Sequence, residues 1–300
     1  MLDNPRARAK LKGFFHDWLE LERAANVSKD SEKFPGFDET VMADLRTSLE
    51  LFLDEAIWGE TSSYRDLLLA DYVMMNGRLA ALYGKGDAVK GEGVEKVSFG
   101  GQRSGVITHP YLLASLAYHN NTSPIHRGVF LTRNIVGRTL KPPPEAIEFS
   151  DNEFDPSLTM REKVTELTRA KACMACHATI NPLGFSLENF DAIGRWQTVD
   201  NDKPVDTKSE FTDDDGGTME LKSARDVAAF AADSKAAQGA FVKQLFHHVV
   251  KQGEASYGLD TRERLRLEFE KNGFNVRELV ASIAVTAATD GLAEDGVAKK

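Results

Sequence analysis

Apolar residues recur at i, i+3 and i+4 through most of this chain, and no other feature constrains its fold as much, because only an α-helix gathers such positions on one face. Near the start the set is Leu11, Phe14, Phe15, Trp18 and Leu19, followed by Leu45, Leu49, Phe52, Leu53 and Ile57. The pattern predicts helix from residue 7 to about residue 82, including a short helix over 64–69, capped by Thr61-Ser62-Ser63, and another over 75–83. It resumes over 110–118, 125–136 and 160–170, and again over 223–232, 240–250, 262–271 and 276–286. Nothing repeats internally and strand patterns are scarce. The expected fold class is all-α.

Between the helical stretches the chain changes character. Residues 84–105 contain seven glycines without strand-turn-helix order and without a Gly-Lys-Ser or Gly-Lys-Thr ending, so they read as a connection with room for a hairpin rather than a phosphate loop. Lys141-Pro142-Pro143-Pro144 enforces extended backbone and marks a domain boundary. An acidic stretch over 145–155 and a polar loop over 200–217 complete the outline. The expected organisation is a helical domain over 1–85, a glycine-rich connection and helical segment over 86–144 ending in the proline run, and a further domain over 145–300. With 37 Lys and Arg against 46 Asp and Glu, a net charge of −9, the chain lacks the basic surface that nucleic acid requires. No apolar run approaches the roughly 20 residues of a membrane span.

One motif carries chemistry. Cys173-Met174-Ala175-Cys176-His177 places two thiols at i and i+3, each able to add to a haem vinyl group, with the next imidazole as the proximal iron ligand. The expected cofactor is one covalent haem c, held by Cys173, Cys176 and His177. A thioredoxin-like redox pair would sit in a βαβ pattern, which is not found. A structural zinc site would need a second pair of ligands, and no further cysteine exists. The backbone carbonyl of Pro182 is the expected partner of the second imidazole nitrogen, with Asn181-Pro182-Leu183-Gly184-Phe185 turning the chain after the helix. Phe185, Leu187, Phe190, Ile193 and Trp196 offer apolar surface to a porphyrin face, or pack as ordinary core, and Arg195 can face a haem propionate.

The distal side stays open. Met219, 42 residues after His177, is the first candidate for the sixth ligand. His248 and His247 are the alternatives, and only one of them can face the iron because neighbours on a helix point about 100° apart. Met160, His109 and His126 are weaker candidates. Asp213-Asp214-Asp215-Gly216-Gly217 lacks the alternating acids of a calcium loop and reads as a solvated loop. Glu188 and Asp191 read as a capping or surface pair, and no hydrolase motif is present.

Haem is attached covalently outside the cytoplasm as a rule, so the expected location is the periplasm or the cell surface. The opening residues, Met1-Leu2-Asp3-Asn4-Pro5-Arg6, have no signal-peptide character, so the export signal is expected to have been removed or to lie upstream.

These residues together resemble the large Planctomycete-type cytochromes, whose C-terminal halves form a series of three domains of unknown function. The resemblance rests on Trp18-Leu19-Glu20-Leu21, on Asp71-Tyr72-Val73-Met74-Met75-Asn76-Gly77-Arg78-Leu79-Ala80-Ala81-Leu82-Tyr83-Gly84, and on Arg103-Ser104-Gly105-Val106-Ile107-Thr108 through Ser123-Pro124-Ile125-His126-Arg127-Gly128. Its most specific part is the cysteine motif followed by Ile180-Asn181-Pro182-Leu183-Gly184-Phe185-Ser186-Leu187-Glu188-Asn189-Phe190-Asp191-Ala192-Ile193-Gly194-Arg195-Trp196. It implies haem, export and a C-terminal portion of a longer protein, in which an upstream cytochrome module or a separate protein is the redox partner, and it gives no substrate. Many relatives end in a Tyr-Ala-Leu-Gly-Arg-like helix, where this chain has Phe246-His247-His248-Val249-Val250-Lys251-Gln252. The expected function is electron transfer by a c-type cytochrome with a cytochrome c-like haem domain. The alternatives are a haem enzyme of peroxidase or oxygenase type with an open distal position, and a scaffold stabilised by its haem.

Overall fold

The computed structural model describes residues 4–141, 149–150 and 154–289. The proline run beyond Lys141 lies outside them. Helix α1 (Pro5–Trp18) starts where Asn4 accepts a hydrogen bond from the Arg6 N–H and Pro5 supplies a fixed φ at the first helical position. Asp38 accepts from the Val41 N–H to start α2 (Glu39–Trp58), and Ser63 accepts from the Asp66 N–H to start α3 (Tyr64–Leu69). The Ser63 cap and the apolar periodicity are those expected from the sequence, and the Asn4 and Asp38 caps add the starts of α1 and α2.

The C-terminal helices α9 (Ala224–Asp233), α10 (Lys235–Val250), α11 (Thr261–Lys271) and α12 (Val276–Thr289) close on these N-terminal ones: α10 packs on α1, and α9 on α3. The Phe241 ring of α10 is the hub. Trp18 meets it at 5.2 Å, Phe14 at 5.6 Å, Tyr64 at 4.7 Å and Phe269 at 6.1 Å. Burying one such ring contributes roughly 1.5–3 kcal/mol. The cytochrome c-like domain expected over 145–300 is therefore not what forms. Of its last four helices, α9 and α10 pack on the N-terminal layer and α11 and α12 on α10, and a single continuous core runs from Leu11 to Ile283.

The all-α expectation is also corrected, because among the described residues three two-stranded antiparallel sheets make the class mixed α and β. Strand β1 (Tyr72–Met75) pairs with β2 (Glu95–Ser98), Val73 opposite Val97. The sequence reads Met75 into a helix because a short apolar run fits either period, and pairing across the glycine-rich segment decides in favour of strand; α4 then starts at Gly77 (Gly77–Leu82). The polar stretch over 200–217 folds into β3 (Val199–Asp200) with β4 (Lys203–Pro204), and β5 (Ser209–Thr212) with β6 (Thr218–Leu221). Asn201 and Asp202, at φ of 49° and 63°, make the two-residue turn between β3 and β4 that favours such residues. In the β5–β6 turn, the Asp213 carboxylate accepts from the backbone N–H groups of Asp215 and Gly217.

The cysteine motif lies on α8 (Lys171–Phe185), which packs on α6 (Pro124–Phe130) and α7 (Met160–Leu167), while α5 (Pro110–Ser115) packs on α2. A π-helical turn over Leu131–Ile135 continues α6. Thr159 and Glu162 form a reciprocal capping box that starts α7. The closest packing in this region is α6 against α8.

Candidate functional site

Helix α8 has two unlike halves. Ile180, Leu183 and Phe185 are buried, with Gly184 and Ile180 pressed on α6. The N-terminal half stands out of the core: Ala172, Met174, Ala175 and Ala178 are exposed, and Cys173, Cys176 and His177 are half-buried. Met174, at 39 % exposure, is among the most exposed large apolar residues in the protein. Both thiols are free. Two accessible thiols one helical turn apart, a following imidazole and an uncovered apolar face are the donor set and surface that a covalently bound haem would use.

The turn expected at 181–185 comes later. Helix α8 runs through Pro182 to Phe185, and Pro182, having no N–H, leaves the carbonyl of exposed Ala178 without its helical partner. This continuation also corrects the expected partner of His177. The Pro182 carbonyl is occupied by the Ser186 N–H at the helix end. Instead the imidazole Nδ1 meets the Asn181 side-chain Oδ1 at 2.8 Å, one turn further along the same helical face. Asn181 Nδ2 in turn donates to Thr168 Oγ1 at 2.8 Å, and that hydroxyl donates to the Val164 carbonyl at 2.8 Å.

After α8 the chain is held by two fully buried arginines. Arg127 on α6 donates to the carbonyls of Leu187 (3.1 Å), Phe190 (2.8 Å) and Asp191 (2.7 Å). It also approaches the Glu188 carboxylate at 3.4 Å. Arg103 donates to the carbonyls of Thr108 (2.7 Å) and Gly194 (2.8 Å), with its guanidinium 4.8 Å from the centre of the Phe190 ring. Glu188 is thus no surface residue: the Thr122 hydroxyl donates to it at 2.7 Å, and burial pushes its carboxyl up to about 7 although Arg127 opposes the shift. Asp191 does cap its loop, accepting from the Ile193 and Arg195 N–H groups.

The remaining residues expected around a haem are placed as follows. Arg195 pairs with Asp191 at 2.8 Å and lies over the Phe34 ring. Phe185 is buried beneath the Arg161 guanidinium, 4.4 Å from its ring centre. Trp196 is 41 % exposed and stands edge-on to Phe190.

Met219 is half-buried on β6, opposite Phe211 of β5, and β5 packs against α8, where Arg138 bridges the Thr212 carbonyl and the Thr179 hydroxyl. His248 engages α1 with both ring nitrogens, Nδ1 with Asp17 at 3.1 Å and Nε2 with the Lys10 carbonyl at 3.1 Å. His247 is exposed on the same helix. His109 is buried against Ser48, and burial pushes its imidazole down to about 3, so it is neutral. His126 lies beside Tyr118, and Met160 is buried at the start of α7. A cleft of about 530 Å³ lies between α7 and the β3–β4 hairpin, lined by Arg161, Arg169, Glu188 and Lys203, and takes in none of the motif residues. Among the described residues no three His, Cys, Asp or Glu side chains are grouped to hold a metal ion by themselves, and no helix is long and apolar enough to cross a membrane.

The residues the sequence reading passed over are Asn181, Thr168, Arg127 and Arg103. Asn181 had a usable signal, since it follows His177 by four positions. The buried arginines had none, because an arginine reads as exposed unless its partners are known.

Two family models match the chain. Residues 1–84 match PSD4, described as a protein of unknown function (DUF1592), and residues 103–200 match PSCyt3, described as a protein of unknown function (DUF1588). Both are families of Planctomycete cytochrome-type proteins, and neither description names a haem. The second match takes in Arg103, Arg127, the cysteine motif and the loop those arginines hold. No curated protein matches, and no solved structure matches.

Proposed function

We propose that this chain is a c-type cytochrome module that carries one haem, bound through Cys173 and Cys176 with His177 as proximal ligand, and that it transfers electrons in the periplasm or at the cell surface. The observation that carries this reading is the outward half of α8, where two free thiols, an imidazole and exposed apolar side chains share one stretch of helix otherwise packed into the core. The haem iron, when present, supplies a one-electron couple. Cys173 and Cys176 would attach the haem, and His177 would offer Nε2 to its iron. The partner is a redox protein or an upstream cytochrome module.

Met219 is the preferred distal ligand, because it stands on the hairpin packed against α8, whereas His248 is committed to Asp17 and Lys10. An electron carrier would hold its iron with two protein ligands and leave no open position for substrate. The reduced wild-type protein is therefore expected to give a low-spin, six-coordinate spectrum that ignores carbon monoxide, and Met219→Ala to give a high-spin form that binds it. A wild-type protein that is already high-spin and binds carbon monoxide rapidly contradicts electron transfer and favours a haem enzyme. A variant spectrum identical to wild type removes Met219 from the iron.

A further inference from the structure

We infer that Asn181, itself oriented by Thr168, is the positioning residue that holds His177 in the tautomer with the proton on Nδ1 and the lone pair on Nε2. Its role toward an iron rests on the haem reading proposed above, but the tautomer does not. The direction of every hydrogen bond follows from the end of the relay. The Val164 carbonyl can only accept, so the Thr168 hydroxyl spends its single proton there, at 2.8 Å. The Thr168 oxygen must then accept, and the group facing it at 2.8 Å is the Asn181 amide nitrogen. Turned the other way, Asn181 would set its oxygen against a hydroxyl oxygen with no proton left to share. Asn181 Oδ1 is therefore the atom at 2.8 Å from His177 Nδ1, and it bonds only to a protonated nitrogen.

The relay is built to persist. Asn181 is 7 % exposed and Thr168 3 % exposed, so water competes poorly for either amide end. Val164 and Thr168 sit four residues apart at the end of α7, and His177 and Asn181 four apart on α8, so both links are set by helix geometry. An asparagine oxygen is a neutral acceptor. It fixes the ring without the charge of a carboxylate, whose bond to a ligating imidazole raises ligand basicity.

The first arm of the test uses the chain without haem, labelled with ¹⁵N-histidine, above the imidazole titration range. Wild type is expected to show His177 with a pyrrole-like Nδ1 and a pyridine-like Nε2, while Asn181→Ala and the isosteric Thr168→Val move the proton toward Nε2. A His177 signal unchanged in both folded variants overturns the inference, whether or not haem ever attaches. The second arm measures the midpoint potential of the haem-bearing forms: Asn181→Asp is expected to shift it down and Asn181→Ala up. A merely structural role would move both the same way, and that result also overturns the inference. Failure of haem to attach to wild type overturns the haem reading and leaves the first arm to decide the tautomer.

Discussion

Arg127→Met is expected to cost about 3–5 kcal/mol of stability, the range for removing one partner of a buried ion pair, as read from the urea midpoint. Methionine keeps much of the apolar volume but none of the donors. The carbonyls of Leu187, Phe190 and Asp191 then lose partners at 3.1, 2.8 and 2.7 Å, and Glu188 loses its buried cation. The loss has a pH dependence with a definite sign. The Glu188 carboxyl is raised from 4.5 to about 7 by burial, so the folded state prefers it protonated, and the stability that form contributes is present below 4.5 and lost as pH rises through 7. Without Arg127 the carboxyl rises further. The variant's deficit is therefore expected to be smallest and level below about pH 7, where Glu188 is protonated in the folded state of both proteins, and to widen above it, where only the wild-type carboxyl ionises beside Arg127. Adding Glu188→Gln should recover the pH-dependent part and leave the carbonyl part. A deficit that is flat with pH would mean that Glu188 is not coupled to Arg127 in this way.

Gly184→Ala is the second large effect. A Cβ at this position would lie 2.0 Å from the Pro124 carbonyl oxygen, and one on Gly128 would lie 2.2 Å from the Ile180 carbonyl oxygen, so α6 and α8 cross with their backbones in contact. Backbone has no rotamer by which to yield. The two helices must separate, and the cost is expected to exceed the ~1–3 kcal/mol of ordinary overpacking. Separation also draws Arg127 away from the loop it holds, so loss of stability and loosening of residues 187–195 should appear together in hydrogen exchange. Gly77→Ala, at a position with open space around its Cβ, is the control and should change stability by less than about 1 kcal/mol. Equal losses in the two variants would contradict the close crossing.

Much of this architecture was legible in the sequence. The cap at Ser63 and the apolar spacing of α1, α2 and α9–α12 are local features, and they fold as local chemistry dictates. What could not be read depends on distant partners. The Tyr72–Met75 strand exists because Glu95–Ser98 pairs with it. The C-terminal helices look like the remainder of a haem domain until Phe241 is seen among Phe14, Trp18 and Tyr64.

At the candidate site, the spacing of Cys173, Cys176 and His177 and the string that follows them carried the expectation of a haem, because the two thiols and the imidazole share one helical turn. The choice of Asn181 over Pro182 turned on whether α8 continues through a proline, which spacing does not decide. Arg127 and Arg103 were invisible for a similar reason: a buried arginine needs partners for its guanidinium, and here they are carbonyls from residues 108, 187, 190, 191 and 194. Within the string from Pro182 to Trp196, the backbone of Leu187, Phe190, Asp191 and Gly194 is thus held by arginines of the preceding segment.

The central claim is covalent haem on α8, and intact-protein mass measured beside a pyridine haemochrome spectrum tests it most directly. The protein is produced in a periplasm that has cytochrome c maturation. The account predicts a mass gain of one haem, a c-type haemochrome that survives acid-acetone extraction, and loss of both when Cys173→Ala and Cys176→Ala are combined. An unmodified mass under conditions in which a control cytochrome c matures fully, or a haem that extraction removes, would contradict it.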